Sequence, residues 1–186
     1  MFKKILVGLV GLLVLVVAVI VVAAFATPTD FRVERDITID RPKAEVFDYM
    51  KMLKNQNDWG PWARKDPNIK QDYRGTDGTV GFVSSWNGTD DEVGEGEQEI
   101  KNIVDGERID TELRFIRPFE TKSNVWMITE SAGADKTHVR WGFSGSMPRP
   151  MNLMLVVMDM DKQVGKDFED GLSRLKSILE SAQPPQ

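Results

Sequence analysis

Hydrophobic residues are spread very unevenly along the chain, and the longest apolar run lies near the N-terminus. Residues 5–26 include no charged residue, and as a helix they would span about 33 Å at about 1.5 Å per residue. That length matches the hydrocarbon core of a bilayer, which is about 30 Å thick. Because Lys3 and Lys4 precede the run, the positive-inside tendency predicts a cytoplasmic N-terminus and a domain on the periplasmic or extracellular side.

The same run also fits a cleaved signal peptide. Ala24, Phe25 and Ala26 match the small-residue pattern of a cleavage site, and a basic start followed by an apolar stretch is typical of such signals. The run is longer than the roughly 7–15 apolar residues of most signal peptides, which favours a retained transmembrane anchor. Both interpretations place the rest of the chain across the membrane.

The polar remainder predicts a linker at residues 27–30, one domain at residues 31–180 and a flexible tail at residues 181–186. Residues 31–40 alternate between apolar and polar side chains, which predicts a first strand. Pro42 predicts the start of a short helix that ends near Leu53. Residues 55–65 surround Gly60 and Pro61, and this predicts a turn or a broken helix.

Strand-like segments separated by turns fill the middle of the chain. The first of them, residues 79–86, places Val80, Phe82 and Trp86 on one face if it is extended. Four more strands are predicted at residues 93–104, 108–116, 122–130 and 136–145. Together they predict an antiparallel meander.

The C-terminal part returns to a helical period. Pro148 and Pro150 mark its start, and its polar residues fall mostly on one side. The apolar positions that recur at about 3.6 residues are Val157, Met160, Val164, Phe168, Leu172, Leu175 and Leu179. A long amphipathic helix of this kind needs an apolar surface, and a curved sheet supplies one.

Five segments carry a family resemblance in the same order as the predicted elements. They are ITIDRPKAEVFDYM, VGEGEQEI, LRFIRPF, THVRWGFSG and VGKDFEDGLSRLKSIL. Over residues 31–180 they resemble the polyketide cyclase/dehydrase-like branch of the SRPBCC (START/Bet v 1-like) superfamily. The resemblance implies an α+β helix-grip fold, in which a curved antiparallel sheet of about six or seven strands wraps a long C-terminal helix and two short helices follow the first strand. It also implies a mostly apolar cavity between sheet and helix.

Composition argues against nucleic-acid binding and excludes chemistry that needs cysteine. The chain holds 29 acidic and 24 basic residues, for a net charge of −5, and no cysteine. An acidic domain is a poor partner for nucleic acid, whose affinity comes largely from neutralised phosphates. Without cysteine there is no disulfide, thiolate nucleophile or zinc–thiolate site. The single histidine, His138, is out of phase with the apolar residues of its strand and should face solvent, so we predict no metal site and no cofactor.

Residues that would line the implied cavity are aromatic or apolar, with one amide. The candidates are Trp59, Trp62, Phe82, Trp86, Gln98, Leu113, Phe115, Trp141, Phe143, Met154, Met158, Val164 and Phe168. The aromatic members could equally be ordinary core residues. The methionines at positions 147–160 could fill the core, form an adaptable gate to the cavity or dip into the nearby bilayer.

Charged residues on the predicted strands allow two interpretations. Glu95, Glu97 and Glu99 share one strand face, where they could form a hard-cation site, act as an acid/base pair or simply meet solvent. Arg114, Arg117 and Arg140 could bind an anionic head group at a cavity end or lie on a solvated face. Solvated faces are the more common outcome in both cases.

Three functions remain open from the sequence. The leading one is a membrane-tethered domain that binds a hydrophobic small molecule or a lipid. A cyclase- or hydratase-like enzyme would need a titratable or polar group in the cavity, and the nearest candidates are Gln98, Glu99, Asp110 and Glu112. The third is a non-catalytic interaction module of the envelope. The sequence indicates neither the ligand nor the oligomeric state.

Overall fold

The computed structural model describes residues 2–90 and 93–181, which form two compact units. One unit combines residues 2–31 with 146–160, and the other combines residues 32–145 with 161–181. Residues 182–186 of the predicted tail lie outside the described residues.

The first unit contains the apolar run as a single helix, α1 (Phe2–Ala26). It is long and apolar enough to cross a membrane. A 3₁₀ turn (Met151–Leu153) and the one-turn helix α5 (Met154–Val157) belong to the same unit. Nothing in the sequence pattern predicts this association, because it depends on hydrogen bonds between segments that are far apart in the chain.

The second unit is built on a seven-stranded sheet in the order β1-β7-β6-β5-β4-β3-β2. The strands are β1 (Asp30–Ile39), β2 (Lys70–Arg74), β3 (Val83–Asn87), β4 (Glu95–Val104), β5 (Arg108–Arg117), β6 (Thr121–Gly133) and β7 (Lys136–Ser146). Each successive pair from β2 to β7 is antiparallel. The predicted meander is therefore confirmed. The first strand, β1, lies beside the last strand, β7, and β2 forms the opposite edge of the sheet.

The helices of this unit are α2 (Lys43–Met50), the one-turn helices α3 (Gln56–Trp59) and α4 (Trp62–Lys65), and the long α6 (Met160–Ser181). A 3₁₀ turn, Leu53–Asn55, lies between α2 and α3. Helix α6 buries the stripe Phe168, Leu172, Leu175 and Leu179. Because residues alternate along each strand, we call the sheet surface that carries Trp141 and contacts α6 the inner face, and the opposite surface the outer face.

An ion cluster also joins α6 to the sheet. Arg35 of β1 donates to the Asp161 carboxylate at 2.9 and 3.0 Å and to Glu169 at 2.7 Å. A Cβ at Gly165 would lie 2.0 Å from Arg35 Nη2, so the guanidinium lies directly against the helix backbone. The bonds from Arg35 lower the pKa of Asp161 below its usual value.

Several predicted boundaries were wrong. The strand predicted at residues 79–86 begins only at Val83, and Val80 is 61% exposed while Phe82 is buried. Gly78 and Gly81 take positive φ values of 73° and 88°, which interrupt an extended backbone.

Both helix predictions were also too long. Helix α2 ends at Met50 rather than near Leu53. The C-terminal helix does not run on from Val157 but begins at Met160, because Met158 has an extended backbone with φ −93° and ψ 111°. The short strand β2 had no clear alternation and was not predicted.

Candidate functional site

One end of the inner face is closed by aromatic side chains. Trp141 stacks on Phe168 of α6 with the ring centroids 3.9 Å apart, and Trp59 meets Trp141 edge-on at 4.9 Å. Trp62 adds a second edge contact at 5.8 Å. Trp59 and Trp141 are only 1% and 2% exposed. This end therefore holds α6 against the sheet and contributes core packing.

The closed end contains an unusual polar feature. The indole Nε1 atoms of both Trp59 and Trp141 are buried and have no hydrogen-bond partner among residues 2–90 and 93–181. Buried N–H groups in proteins are nearly always paired, and an unpaired one costs about 1–3 kcal/mol. Two unpaired donors in contacting rings are a place where an oxygen atom from water or a ligand would be stabilised.

The other end of the inner face is less covered. Gln98 pairs across the strands with Leu113, and Gly96 pairs with Phe115. Leu113, Phe115 and Trp86 remain partly exposed, although they lie on the same side of the sheet as the core.

Two further contacts shape this end. Trp86 meets the Phe115 ring edge-on at 5.9 Å and lies over Gly96, where a Cβ would come within 2.7 Å of the indole. Gln98 donates to Thr111 Oγ1 at 2.9 Å. We call the surface formed by Trp86, Gln98, Leu113 and Phe115 the open patch.

The remaining candidates are divided among several places. Phe143 is buried on the inner face, and Val164 is partly exposed on α6. Phe82 is buried and stacks on Tyr73 at 6.1 Å. Met154 and Met158 belong to the first unit, so their part in a cavity of the second unit stays a prediction.

Sequence reasoning missed two inner-face residues and one glycine of α6. Thr111 and Ser123 are buried there and face the same side as Leu113, a placement that the two-residue period already indicates. Gly171 of α6 faces the closed end, where a Cβ would lie 2.9 Å from the Trp141 ring. Its only signal is a glycine in phase with Phe168 and Leu175 on an otherwise apolar stripe.

The carboxylates considered for a cation site surround an arginine on the outer face. Arg114 bonds Glu97 at 2.7 Å, Glu99 at 2.7 Å and Glu112 at 2.6 Å. Hydrogen bonds from Arg74 and Arg114 lower the pKa of Glu97, and those from Arg114 and Lys101 lower the pKa of Glu99. Within residues 2–90 and 93–181, no group of three or more acidic or histidine side chains is arranged to hold a metal ion.

The ion pairs of Arg114 should make the free energy of unfolding depend on pH. Replacing Arg114 with alanine should lower the free energy of unfolding at neutral pH by about 1–2 kcal/mol, because three carboxylates then repel one another. The two lowered carboxyl pKa values mean that wild-type stabilisation is present above the ordinary carboxyl pKa and is lost as the pH falls through the folded values. The penalty of Arg114→Ala should therefore stay constant from neutral pH down to the ordinary glutamate pKa of about 4.3, and should shrink as the pH falls below it.

Urea unfolding at several pH values, followed by circular dichroism, measures this penalty. Arg74→Ala is the control. Arg74 bonds the same Glu97 at 2.7 Å, but its side chain is 58% exposed, so the loss of free energy of unfolding should be smaller. A penalty for Arg114→Ala that stays constant as the pH falls below the ordinary glutamate pKa would contradict the account.

Most of the polar residues considered for catalysis also lie on the outer face. Asp110 bonds Arg108 at 2.7 Å, and Glu99 and Glu112 bond Arg114, whereas Gln98 alone of the four faces inward. As predicted, His138 lies on the outer face, where its Nε2 is 3.7 Å from Asp36.

The other two arginines considered for an anionic head group are ion-paired. Arg117 Nε lies 3.3 Å from Glu95, and Arg140 contacts Glu130 at 2.8 Å. These pairs favour the solvated-face interpretation.

A depression of about 520 Å³ also lies on the outer face, around Trp126. Arg32 stacks over this indole at 4.4 Å, and the indole N–H donates to Glu34 at 2.6 Å. The cations around the depression are paired with carboxylates, Arg32 with Glu34 at 3.0 Å and Arg108 with Asp110 at 2.7 Å. Since this charge is already compensated, the depression is a weaker candidate site than the inner face.

Comparison with known proteins points to one family. Residues 30–180 match the model of the family described as polyketide cyclase/dehydrase and lipid transport. No curated protein sequence matches the chain.

Solved structures share the fold. Norcoclaurine synthase from Thalictrum flavum, in complex with dopamine and hydroxybenzaldehyde, is 11% identical with a TM-score of 0.63, over 87% of this chain and 94% of that one. A Rhizobium loti protein is 18% identical with a TM-score of 0.57, over 80% and 96% of the two chains. DynU16, from the dynemicin biosynthetic locus, is 16% identical with a TM-score of 0.56 over 82% of this chain, which spans about half (48%) of DynU16. These similarities confirm the helix-grip fold and say nothing further about function.

Proposed function

This chain belongs to the polyketide cyclase/dehydrase and lipid transport family, whose model matches residues 30–180, and from that premise we propose that its sheet domain binds a hydrophobic small molecule or lipid on the inner face. The open patch carries this proposal. Trp86, Leu113 and Phe115 are apolar and partly exposed on the side of the sheet that elsewhere forms the core. Covering them with an apolar ligand would contribute about 25 cal/mol per Å² of buried surface.

The polar groups nearby suggest the chemistry of the ligand. Gln98 is already bonded to Thr111 through Nε2, which leaves its carbonyl oxygen as an acceptor. A ligand with an apolar body and a hydroxyl group would cover the open patch and donate to this oxygen, as sites of this kind combine apolar lining with a few polar contacts.

We further propose that α1 is a retained anchor that places the domain on the periplasmic or extracellular side. The basic residues Lys3 and Lys4 support this orientation. Retention is supported by the burial and helical structure of the possible cleavage site, because Ala24 is 3% exposed and the helix continues to Ala26. Measuring the intact mass of the protein recovered from membranes tests retention. The full-length mass is expected, and the mass of a chain that starts at Thr27 would contradict retention.

Filling the open patch should block binding. Leu113→Trp adds a large ring to a partly exposed inner position, so the affinity for an apolar probe should fall at least about tenfold, or 1.4 kcal/mol. The probe is radiolabelled oleic acid, measured by scintillation proximity on the full chain in lipid nanodiscs, with protein-free nanodiscs as the background.

The matched control is Ile116→Trp. Ile116 lies at a bulge of the same strand, where the register with β4 skips it, and it is 49% exposed, so this variant adds the same ring at an exposed position outside the open patch. Binding should remain at the wild-type level. Equal affinity in Leu113→Trp and Ile116→Trp would show that the open patch does not hold the probe.

A further inference from the structure

The C-terminal end of α1 is fixed to a distant part of the chain. Asn152 is fully buried and donates from Nδ2 to the carbonyl oxygens of Ala24 at 2.8 Å and Thr27 at 2.9 Å. Arg149 donates from Nε to the Ala24 oxygen at 3.0 Å. The last carbonyls of a helix lack partners within the helix, so these two side chains satisfy groups that α1 cannot satisfy itself.

Backbone bonds add to the same junction. Met147 N–H donates to the Thr29 carbonyl at 2.8 Å, and Thr27 N–H returns to Ala23 at 3.0 Å. Residues 147–152 are therefore tied by hydrogen bonds to residues 24–29, at and just after the C-terminal end of α1. If α1 crosses a bilayer, these residues lie at its surface.

Several of the residues that follow expose large apolar side chains in the described part of the chain. From Met151 to Met158 the only polar side chain is Asn152, and it is used by α1. Met151 is 44% exposed and Val156 and Val157 are 69% and 87% exposed. Exposure of this much apolar surface to water is unfavourable, by about 25 cal/mol per Å².

Aromatic and cationic side chains at the junction also suit a membrane surface. Phe25 is 70% exposed, and the Arg149 guanidinium lies 5.0 Å from the centre of its ring. An arginine at this level can keep its charge among head groups while its stem lies along apolar surface. The same arrangement in water would leave Phe25 uncovered.

We propose that residues 151–158 form an interfacial collar, inserted at the boundary between head groups and acyl chains of the same bilayer that α1 crosses. The partner is the lipid surface, because the collar is continuous by hydrogen bonds with the membrane-spanning helix. The collar rests on the proposed anchor and goes beyond it by assigning a second lipid contact, 125 residues or more further along the chain.

The absence of cysteine in the chain allows the collar to be tested with single labels. Val156→Cys and Val157→Cys would each carry an environment-sensitive NBD group in full-length protein reconstituted into phosphatidylcholine vesicles. Ala134→Cys, in the exposed turn between β6 and β7, is the aqueous control, and Leu13→Cys, in the middle of α1, is the lipid control.

The collar predicts blue-shifted emission at positions 156 and 157, quenching by doxyl-labelled lipid and protection from aqueous iodide, in contrast to position 134. Iodide quenching at 156 and 157 equal to that at 134, with Leu13→Cys still in lipid, would overturn the collar and leave the anchor intact. An aqueous signal at Leu13→Cys would overturn the anchor itself, and with it the collar.

Discussion

Replacing Trp141 with alanine is expected to lower the free energy of unfolding by about 3–5 kcal/mol. Trp141 lies between two elements that it holds together, stacked on Phe168 of α6 at 3.9 Å and in edge contact with Trp59 at 4.9 Å. Its removal leaves a cavity among rigid rings, which cannot collapse to fill it. The loss of a buried N–H without a partner offsets only part of this cost.

Urea unfolding of the full chain in detergent, followed by circular dichroism, measures the change. Ile116→Ala is the control, because this apolar side chain is 49% exposed, and its effect should stay within about 0.5 kcal/mol. If Trp141→Ala costs no more than Ile116→Ala, the aromatic contact is not what holds α6 to the sheet.

Gly171→Leu should be destabilising by about 3 kcal/mol. Leucine is the better helix former by nearly 1 kcal/mol, so helix propensity alone predicts a gain. The structure predicts the opposite sign, because a Cβ at this position would lie 2.9 Å from the Trp141 ring and 3.6 Å from the Trp59 carbonyl oxygen. Overpacking between aromatic rings costs about 1–3 kcal/mol or more and outweighs propensity.

Combining the two substitutions tests whether they act at one contact. In the Trp141→Ala background the leucine can occupy the vacated volume, so Gly171→Leu should cost much less there than in the wild type. Ser173→Leu introduces the same side chain on the exposed side of α6 and should have little effect in either background. Strictly additive effects of Gly171→Leu and Trp141→Ala would contradict the proposed contact.

Local patterns predicted the parts of this protein that depend on local physics. The two-residue alternation in β4, β5 and β7 assigned Gln98, Leu113 and Trp141 to one face, and the register confirms that side. The 3.6-residue period likewise identified Phe168 and Leu175 as the buried side of α6. Strand and helix faces follow from side-chain direction, which is set by the backbone geometry of each residue.

Features that depend on contacts between distant segments were not predictable from these patterns. No local pattern predicts that Trp59, in a one-turn helix, contacts Trp141. Nor does any pattern predict that a side chain at Gly171 would clash with these rings. The same holds for Asn152, whose partner Ala24 lies in the last turn of α1 and whose partner Thr27 directly follows it. The boundary errors have a local cause instead, since Gly78 and Gly81 turn the backbone where the apolar pattern suggested a strand.

Mapping the contact sites of a photoreactive fatty acid on the full chain in nanodiscs tests the central claim most directly. After irradiation and digestion, mass spectrometry should find the diazirine adduct in α1 and also on the open patch, in the peptides that contain Trp86, Leu113 and Phe115. Leu113→Trp should remove the adducts on the open patch while those in α1 remain. Adducts confined to α1 and to residues 151–158 in the wild-type protein would contradict a ligand site on the inner face.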